Sequence, residues 1–416
     1  MKNKTVLFLS SICILVSALL VIIGGKKLYA YYQSKDTSRT VSQDLTVTKK
    51  EMLEDYDTLW KDIEENYPYL TVAGRVTGKD FSKIKEDYRK KAENAVSLKE
   101  FAAVLNNCIN EFEGTGHMKM FFEDSTYADY LEIYKDPENA HCKILYKRLN
   151  NPVSKKYYHY NGNKGDTGKE KSTTGTEETS NRQINFMTQE YESSKIAYVK
   201  IPSFVNADVN VPALKEYFTK IKDYNNCIID LRGNGGGNDY YWTEGIVTPN
   251  MKEDVKVSYD FLIKGDMSKS YAKSEFKVLP IKKLDTSSLS HLNTEDFSSM
   301  DYYCAYASIF QKQKEPVFKG KFYVLTDESN YSSSESFVAF CKRTGFATLV
   351  GKRTGGDGMG IDPMITVLPN TGICLRFSAL YSMNADGSCN EEYGTVPDVE
   401  SGDRDALGVC MDLIKK

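Results

Sequence analysis

The stretch KFYVLTDESNYSSSESFVAFCKRTGFATLVGKRTGGDG, residues 321–358, decides the fold, because it reads as a strand, a turn and a helix in immediate succession. Residues 322–325 form a short apolar run that is typical of a strand buried on both faces of a sheet. From Glu335 the apolar residues recur near helical spacing, and Gly345 stands where a left-handed helix cap is expected. The serines between the two are therefore predicted to lie at the N-terminus of a helix.

Ser332 has two interpretations at such a position. Unpaired backbone N–H groups at a helix N-terminus stabilise a negative oxygen that forms beside a serine, which favours Ser332 as a nucleophile. Ser332 and Glu335 also have the spacing of a capping box, in which the serine hydroxyl only satisfies a backbone donor. The stretch by itself allows both.

A glycine-rich segment, RGNGGG at residues 232–237, follows another apolar run at residues 227–231. Successive glycines cost conformational entropy, and they suit a backbone that turns sharply or approaches a ligand closely. No Gly-Lys-Ser or Gly-Lys-Thr follows, and the spacing is not GxGxxG, so we expect no phosphate binding here. A glycine-rich hairpin and a loop whose N–H groups face a substrate carbonyl are the two alternatives.

Three elements in this order resemble the C-terminal processing, or tail-specific, serine proteases: DLRGNGGG at 230–237, SSSE at 332–335 and GKRTGG at 351–356. The resemblance covers residues 196–399. It implies that Ser332 is the nucleophile and that Gly236, between Gly235 and Gly237, supplies one N–H to an oxyanion hole. It further implies that the N–H of Ser333 is the second donor.

The two branches of that family differ in the general base. In the Ser-Lys branch a lysine occupies the position that Asp357 holds here, and a carboxylate does not replace that base by simple analogy. The branch similar to the tricorn core protease uses histidine and glutamate. EGTGH at 113–117 and EEYGTVPD at 391–398 resemble its elements, which implies His117 as the base and Glu391 as the carboxylate that orients it, with Glu392 as the adjacent alternative.

The predicted mechanism is therefore Ser-His-Glu catalysis, because a serine hydroxyl is a poor nucleophile until a neutral imidazole accepts its proton. One rival is a Ser-Lys dyad that uses Lys352. The other is a catalytically inactive surface binding or scaffold protein, which Asp357 at the usual lysine position favours. The other histidines, His141, His159 and His291, are predicted to be surface residues.

The N-terminal region predicts a membrane anchor. Lys2 and Lys4 precede an apolar run at residues 6–23 that is long enough, with its flanks, to cross a bilayer as a helix. We predict a tail at 1–5, a transmembrane signal anchor at 6–24 and a linker at 25–48, with a cleaved signal peptide as the alternative. Counting lysines alone favours the opposite orientation, but the resemblance implies an extracytoplasmic catalytic domain at the cell membrane.

The remainder divides into three parts. Residues 49–118 have apolar stripes at helical spacing and are predicted to form an N-terminal helical domain that carries His117. Residues 119–190 are predicted to be irregular, with a flexible loop at 161–182 that has almost no apolar residues. Residues 191–416 alternate strands and helices, which predicts an α/β core, and the resemblance implies that it is the crotonase-like layered protease core.

Composition limits the partners. The chain has 416 residues, 41% of them hydrophobic, and a net charge of -3, so it has material for a large core. Basic and acidic residues are interspersed, which predicts no nucleic-acid partner. The nine cysteines show no CxxC pair or zinc spacing, so we expect no metal, and Cys108, Cys227 and Cys341 fit buried free thiols. We expect a polypeptide substrate, no cofactor and contact with the membrane through the N-terminal helix; the sequence gives no oligomeric state.

Overall fold

The computed structural model describes residues 45–135, 139–161, 183–191, 195–357 and 360–416. The predicted tail, the predicted anchor, residues 25–44 of the linker and residues 162–182 lie outside the described residues. Within the described ranges, no helix combines the length and the apolar character needed to cross a bilayer. These ranges belong to one compact unit.

The N-terminal region is helical, as its apolar stripes predict. Its helices are α1 Lys49–Asn66, α2 Leu70–Thr77, α3 Phe81–Asn94 and α4 Leu98–Asn110. Thr48 and Glu51 form a capping box at the start of α1, and Ser97 caps α4. Since the buried residues of α1 recur at three and four, one face of the helix packs inward, and Trp60 is 1% exposed there.

The described part of the segment 119–190 contains three helices between residues 124 and 157, and the prediction of an irregular segment was wrong for that part. It contains α5 Asp124–Ile133, α6 Ala140–Leu149 and α7 Pro152–Tyr157. Tyrosines supply much of its buried surface: Tyr127 stacks on Tyr158 with ring centroids 4.4 Å apart, and Tyr157 is fully buried. Because tyrosine carries a polar hydroxyl and polar residues interrupt the apolar ones, these short helices lack a clear apolar stripe in the sequence.

The rest of the described chain contains seven further α-helices and all thirteen strands. The helices are α8 Ala207–Lys220, α9 Asp239–Trp242, α10 Gly265–Ala272, α11 Thr294–Ser298, α12 Ser333–Thr344, α13 Asn390–Tyr393 and α14 Ala406–Ile414. The strands are β1 Lys119–Met120, β2 Met187–Tyr191, β3 Ile196–Lys200, β4 Asn226–Asp230, β5 Val255–Ile263, β6 Val278–Pro280, β7 Tyr302–Phe310, β8 Lys321–Thr326, β9 Ala347–Gly351, β10 Met364–Val367, β11 Cys374–Phe377, β12 Tyr381–Ser382 and β13 Val399–Glu400.

A six-stranded sheet in the order β13-β9-β8-β4-β3-β2 forms the centre of the α/β core. All of its strands run parallel except the edge strand β2. Alternate side chains pack against different layers, with α8 and α12 on one face and α14 on the other. The run at 322–325 is buried in β8, so the predicted buried strand is confirmed.

The parallel register determines where the loops meet. Asp230 pairs with Leu325 across β4 and β8, and Thr326 pairs with Gly351 across β8 and β9. The C-terminal ends of these three strands therefore lie side by side at the same end of the sheet. The loops that follow carry the glycines 233–237, Ser332 and Asp357, and they are brought together at this end.

Two smaller sheets complete the molecule. The order β1-β11-β10 joins the segment after α4 to the C-terminal half of the chain, and β12-β5-β7-β6 forms a separate antiparallel sheet. The eight cysteines of the described residues are all free thiols, and all except Cys142 are buried. The prediction for Cys108, Cys227 and Cys341 is thus confirmed.

Candidate active site

Ser332 lies at the turn that begins α12, and its hydroxyl does not cap the helix. Its backbone has φ 56° and ψ -130°, a conformation that L-residues adopt only under strain, and no side-chain cap bond is present. Its Oγ lies 3.1 Å from Nε2 of His117. The Glu335 carboxylate accepts hydrogen bonds from Asn390 and Thr395 instead. The capping-box interpretation is therefore wrong for this pair.

His117 reaches the serine through a tight turn after α4. Gly116 in this turn has φ 54°, and a Cβ there would lie 2.5 Å from the ring of Tyr69 and 3.0 Å from that of Tyr67. The carbonyl of Gly116 accepts a hydrogen bond from the N–H of Ser378 at 2.8 Å, next to the pairing of β1 with β11. Glycine is thus required before the histidine because two tyrosine rings occupy the space of a side chain.

The carboxylate that contacts the imidazole is Asp357. Its Oδ2 lies 2.6 Å from Nδ1 of His117 and accepts a hydrogen bond from Ser378 Oγ at 2.8 Å. Asp357 is 3% exposed, and its Oδ1 lies 3.4 Å from the hydroxyl of Tyr69. With Nδ1–H donating to Asp357, the lone pair of Nε2 faces the Ser332 hydroxyl, which is the tautomer that a general base needs.

Glu391 and Glu392 lie near this group, but neither contacts the imidazole through the hydrogen bonds of the described residues. Glu391 Oε1 accepts from the N–H of Gly116 at 2.9 Å, and Oε2 accepts from the hydroxyl of Tyr331 at 3.3 Å. Glu392 pairs with Arg75 at 2.7 Å. The prediction that Glu391 orients the ring is corrected accordingly, because Asp357 occupies the place beside Nδ1.

Burial raises the pKa of Glu391. Removal from water and the negative charge of Asp357 raise the pKa of Glu391 well above its usual range. Oε1 of Glu391 accepts the Gly116 N–H in either protonation state. Its effect on His117 is therefore exerted through the backbone of the turn.

The two predicted oxyanion donors, the N–H groups of Gly236 and Ser333, differ in their hydrogen bonding. The N–H of Gly236 donates to Asn234 Oδ1 at 2.8 Å, so it is already used within the loop, which corrects the prediction for this group. Among the described residues no acceptor takes the N–H of Gly237 or of Ser333. The C=O of Gly236 accepts from Phe204 at 2.8 Å, and a trans peptide directs the next N–H, that of Gly237, away from Phe204.

The rival base Lys352 is not in the site. Its side chain is exposed, and its Nζ lies 3.5 Å from Glu328. The geometry therefore does not support a Ser332–Lys352 dyad.

The other histidines have different surroundings. His159 and His291 are exposed, as predicted, and contact Asp124 and Asp386. His141 is 7% exposed and is bonded to two carboxylates, so its prediction as a surface residue was wrong. The cause is the unexpected helix α6, whose buried face consists of His141, Leu145 and Leu149.

A cleft of about 670 Å³ lies along α12, and Ser332 itself is not part of its lining. Ser336, one turn along α12 from Ser332, and Asp239, two residues after Gly237, belong to its wall. Most of its large side chains are aromatic or aliphatic: Trp242, Val257, Tyr259, Phe261, Phe310, Phe340 and Ile361. A cleft of this size and character accommodates a large apolar group.

Sequence reasoning missed Asp357 and Ser378 as members of the site. Asp357 was interpreted only as the loss of a lysine. The parallel order of the strands could have indicated Asp357. It follows β9, and Ser332 follows the neighbouring strand β8, so both loops leave the same end of the sheet. Ser378 has no such signal, because its position depends on the pairing of β1 with β11.

Comparison with known proteins identifies similar families. The model of peptidase family S41 matches residues 195–401, and the model of the tricorn protease C1 domain matches residues 48–110. The second match ends before the turn that carries His117. No curated protein sequence matches the chain.

Solved structures share the fold over most of the chain. A candidate peptidase from Parabacteroides merdae is 20% identical, covers 89% of this chain and 98% of its own, and has a TM-score of 0.54. Mature CPAF complexed with lactacystin is 14% identical, with 88% and 97% covered and a TM-score of 0.50. At these identities the likeness shows the fold alone.

Proposed function

The chain belongs to peptidase family S41 and is a serine-type peptidase, and on this premise we propose that it cleaves polypeptides through a Ser332–His117–Asp357 relay. The observation that carries the proposal is the continuous set of contacts from Ser332 Oγ to His117 Nε2 at 3.1 Å and from Nδ1 to Asp357 at 2.6 Å. Such a chain of contacts activates a serine and stabilises the imidazolium that forms.

Each group has a defined task in the proposed reaction. His117 takes the proton of Ser332 as its Oγ attacks the peptide carbonyl, and it later gives that proton to the leaving amine. Asp357 holds the ring and offsets its positive charge, while Ser378 and Tyr69 hold Asp357. The unpaired N–H groups of Ser333 and Gly237 would bind the oxyanion, and each such donor contributes about 3 kcal/mol to the transition state.

Labelling with a fluorophosphonate, followed by mapping of the modified residue, tests the nucleophile. We expect modification at Ser332, and loss of both labelling and casein cleavage in Ser332→Ala and His117→Ala with folding retained. Ser329→Ala is the matched control, because Ser329 is an exposed serine of the same loop. Modification of another serine, or cleavage by Ser332→Ala, would refute the proposal.

We propose that the cleft along α12 binds a large apolar side chain of the substrate near the scissile bond. This is supported by its aromatic and aliphatic walls and by Ser336, which lies in its wall one turn along α12 from Ser332.

Membrane anchoring is the second part of the proposed function. It is supported by the apolar run at residues 6–23 and by the lysines that flank it. We propose that residues 6–24 anchor the peptidase in the cell membrane with the catalytic region outside the cytoplasm. The full chain should stay with membranes after an alkaline wash and be digested by protease added to intact cells, whereas a variant without residues 2–24 should do neither. Release of the full chain by the wash would contradict the anchor.

A further inference from the structure

Three metal-ligating side chains outside the catalytic group meet at the start of α6. His141 and Cys142 belong to its first turn, and Asp362 comes from the segment that leads into β10. His141 Nε2 lies 3.0 Å from Asp362 Oδ2 and 3.3 Å from Cys142 Sγ, and Sγ lies 3.7 Å from Oδ2. An imidazole, a thiol and a carboxylate thus bring one possible ligand atom each within 4.8 Å of one another.

These separations fit a tetrahedral metal ion. Zinc binds nitrogen and oxygen at about 2.1 Å and sulfur at about 2.3 Å, so neighbouring ligand atoms at the tetrahedral angle stand about 3.4 to 3.6 Å apart. The three observed distances of 3.0, 3.3 and 3.7 Å bracket that range. An ion can therefore enter with small side-chain movements and no shift of the backbone.

Glu275 prepares the imidazole for this role. Its Oε1 accepts hydrogen bonds from His141 Nδ1 at 2.9 Å and from the His141 backbone N–H at 3.0 Å. Because Glu275 keeps a proton on Nδ1, Nε2 is the nitrogen that can exchange its hydrogen bond to Asp362 for a metal ion. A carboxylate on the far nitrogen of a histidine is the usual support of a metal-bound imidazole.

We propose that His141 Nε2, Cys142 Sγ as thiolate and Asp362 Oδ2 bind one zinc ion, with water as the fourth ligand. On binding, the Cys142 thiol proton and the His141 Nε2 proton that bonds to Asp362 both pass to solvent, and zinc–sulfur and zinc–nitrogen bonds replace the hydrogen–sulfur and hydrogen–nitrogen bonds. The ion links α6 to the segment that follows Asp357, so it holds the element that carries the partner of His117. Zinc binding itself does not depend on the proposed protease activity.

The sequence predicted no metal site for a simple reason. Two ligands are adjacent in the chain and the third is 220 residues away from Cys142, so no spacing motif exists. Only the packing of α6 against the segment at 360–362 creates the cluster.

Titration of the purified, chelator-treated full chain with Co²⁺ and with Zn²⁺ tests the proposal. We expect one equivalent to bind, with the absorption of a tetrahedral cobalt–thiolate complex and with a rise in the unfolding temperature on adding Zn²⁺. Cys142→Ser should remove the thiolate absorption, and His141→Ala and Asp362→Asn should weaken binding. Glu275→Gln, which keeps all three ligands, should weaken it by about 10- to 100-fold.

His159→Ala is the matched control, because His159 lies 2.8 Å from Asp124 but has no cysteine ligand of this kind. It should bind zinc as the parent protein does. Absence of stoichiometric binding by the folded parent would show that the cluster is only an ion-pair triad around His141. Thiolate absorption that survives Cys142→Ser would place the metal elsewhere and would also overturn the proposal.

Discussion

Asp357 and Glu391 are two acids near one histidine, and their contacts give them unequal tasks. Asp357 bonds to Nδ1 of the ring, whereas Glu391 bonds to the backbone of Gly116 and has a raised pKa. We expect Asp357→Asn to lower kcat by about 10³- to 10⁴-fold, because the amide favours the wrong histidine tautomer. Glu391→Gln keeps an acceptor oxygen for Gly116 and should lower kcat by no more than about tenfold.

Steady-state kinetics on one peptide substrate, with circular dichroism of both variants, compares these effects. A larger loss of kcat in Glu391→Gln than in Asp357→Asn would show that Glu391 orients His117, as the sequence resemblance implied. Equal losses would show that the two carboxylates act as one unit.

Glu335 is another buried acid, and its titration affects the stability of the folded state. Burial raises the pKa of Glu335 to about 7 from the ordinary value of 4.5. The folded state therefore holds more protons than the unfolded state between these values. Its contribution to the free energy of unfolding is fully present below pH 4.5 and is lost as the pH rises through 7.

We expect Glu335→Gln to remove this dependence. Relative to the parent, the variant should gain about 2 to 3 kcal/mol of unfolding free energy between pH 5 and pH 8. Urea unfolding at the two pH values measures the change. Glu54→Gln, at an exposed site on α1, is the control and should show no comparable gain. If the free energies of unfolding of Glu335→Gln and the parent differ by the same amount at pH 5 and pH 8, Glu335 is ionised over this whole range.

At the scale of elements, the conformation of the glycine loop after β4 depends on Gly236 more than on its neighbour Gly235. Gly236 has φ +104°, and a Cβ there would lie 2.7 Å from the carbonyl of Tyr331 and 2.9 Å from Cβ of Ser332. Gly235 has open space around it. We expect Gly236→Ala to lower kcat by about 10²-fold or more by displacing the nucleophile turn, and Gly235→Ala to leave kcat within a small factor of the parent. Similar kinetics for both variants would show that the loop adapts without moving Ser332.

The strand β7 forms one wall of the cleft, and it permits a test of substrate preference. Ser308 belongs to the wall of the cleft, whereas its neighbour Ala307 does not. Ser308→Trp should lower kcat/KM for peptides with a large apolar residue by about tenfold or more, and should affect peptides with alanine there much less. Ala307→Trp is the control. A uniform loss over all peptides would refute the cleft as the binding site of that residue.

How far the sequence predicts these elements depends on the kind of signal. The β8–α12 unit and the pairing of His117 with Ser332 were predictable, because the apolar periodicity and the short motifs both lie within local stretches. The identity of the carboxylate was not, since Asp357 and Glu391 are both within a few ångströms of the site and only the loop packing separates their contacts. Helix α6 was missed for a related reason, because its buried face includes His141.

At the scale of the whole molecule, the N-terminal helices and the sheet core are joined by buried polar contacts. Asp55 of α1 is fully buried, and its carboxylate accepts from Thr371 N–H at 2.8 Å and from Asn370 N–H at 3.0 Å, in the turn between β10 and β11. Because α4 delivers His117 and this junction fixes the helices on the core, stability and activity depend on the same contacts.

We expect Asp55→Ala to lower the free energy of unfolding by about 3 kcal/mol, since it leaves several buried donors without an acceptor. Asp57→Ala on the same helix removes only an exposed pair with Arg89 and should cost less than about 1 kcal/mol. Urea unfolding measures both. A loss for Asp55→Ala no larger than that for Asp57→Ala would show that water replaces the missing acceptor.

The chain's two tryptophans allow the coupling itself to be measured, because Trp60 lies in α1 and Trp242 lies in the core beside the cleft. In Trp60→Phe the fluorescence reports the core alone, and in Trp242→Phe it reports the helical region alone. If the junction at Asp55 makes the two parts one cooperative unit, fluorescence and far-UV circular dichroism should give the same midpoint within each variant. Earlier unfolding of the helical region in Trp242→Phe would separate the parts. It would then predict loss of peptidase activity at urea concentrations where the sheet is intact, because His117 leaves Ser332 with its helices.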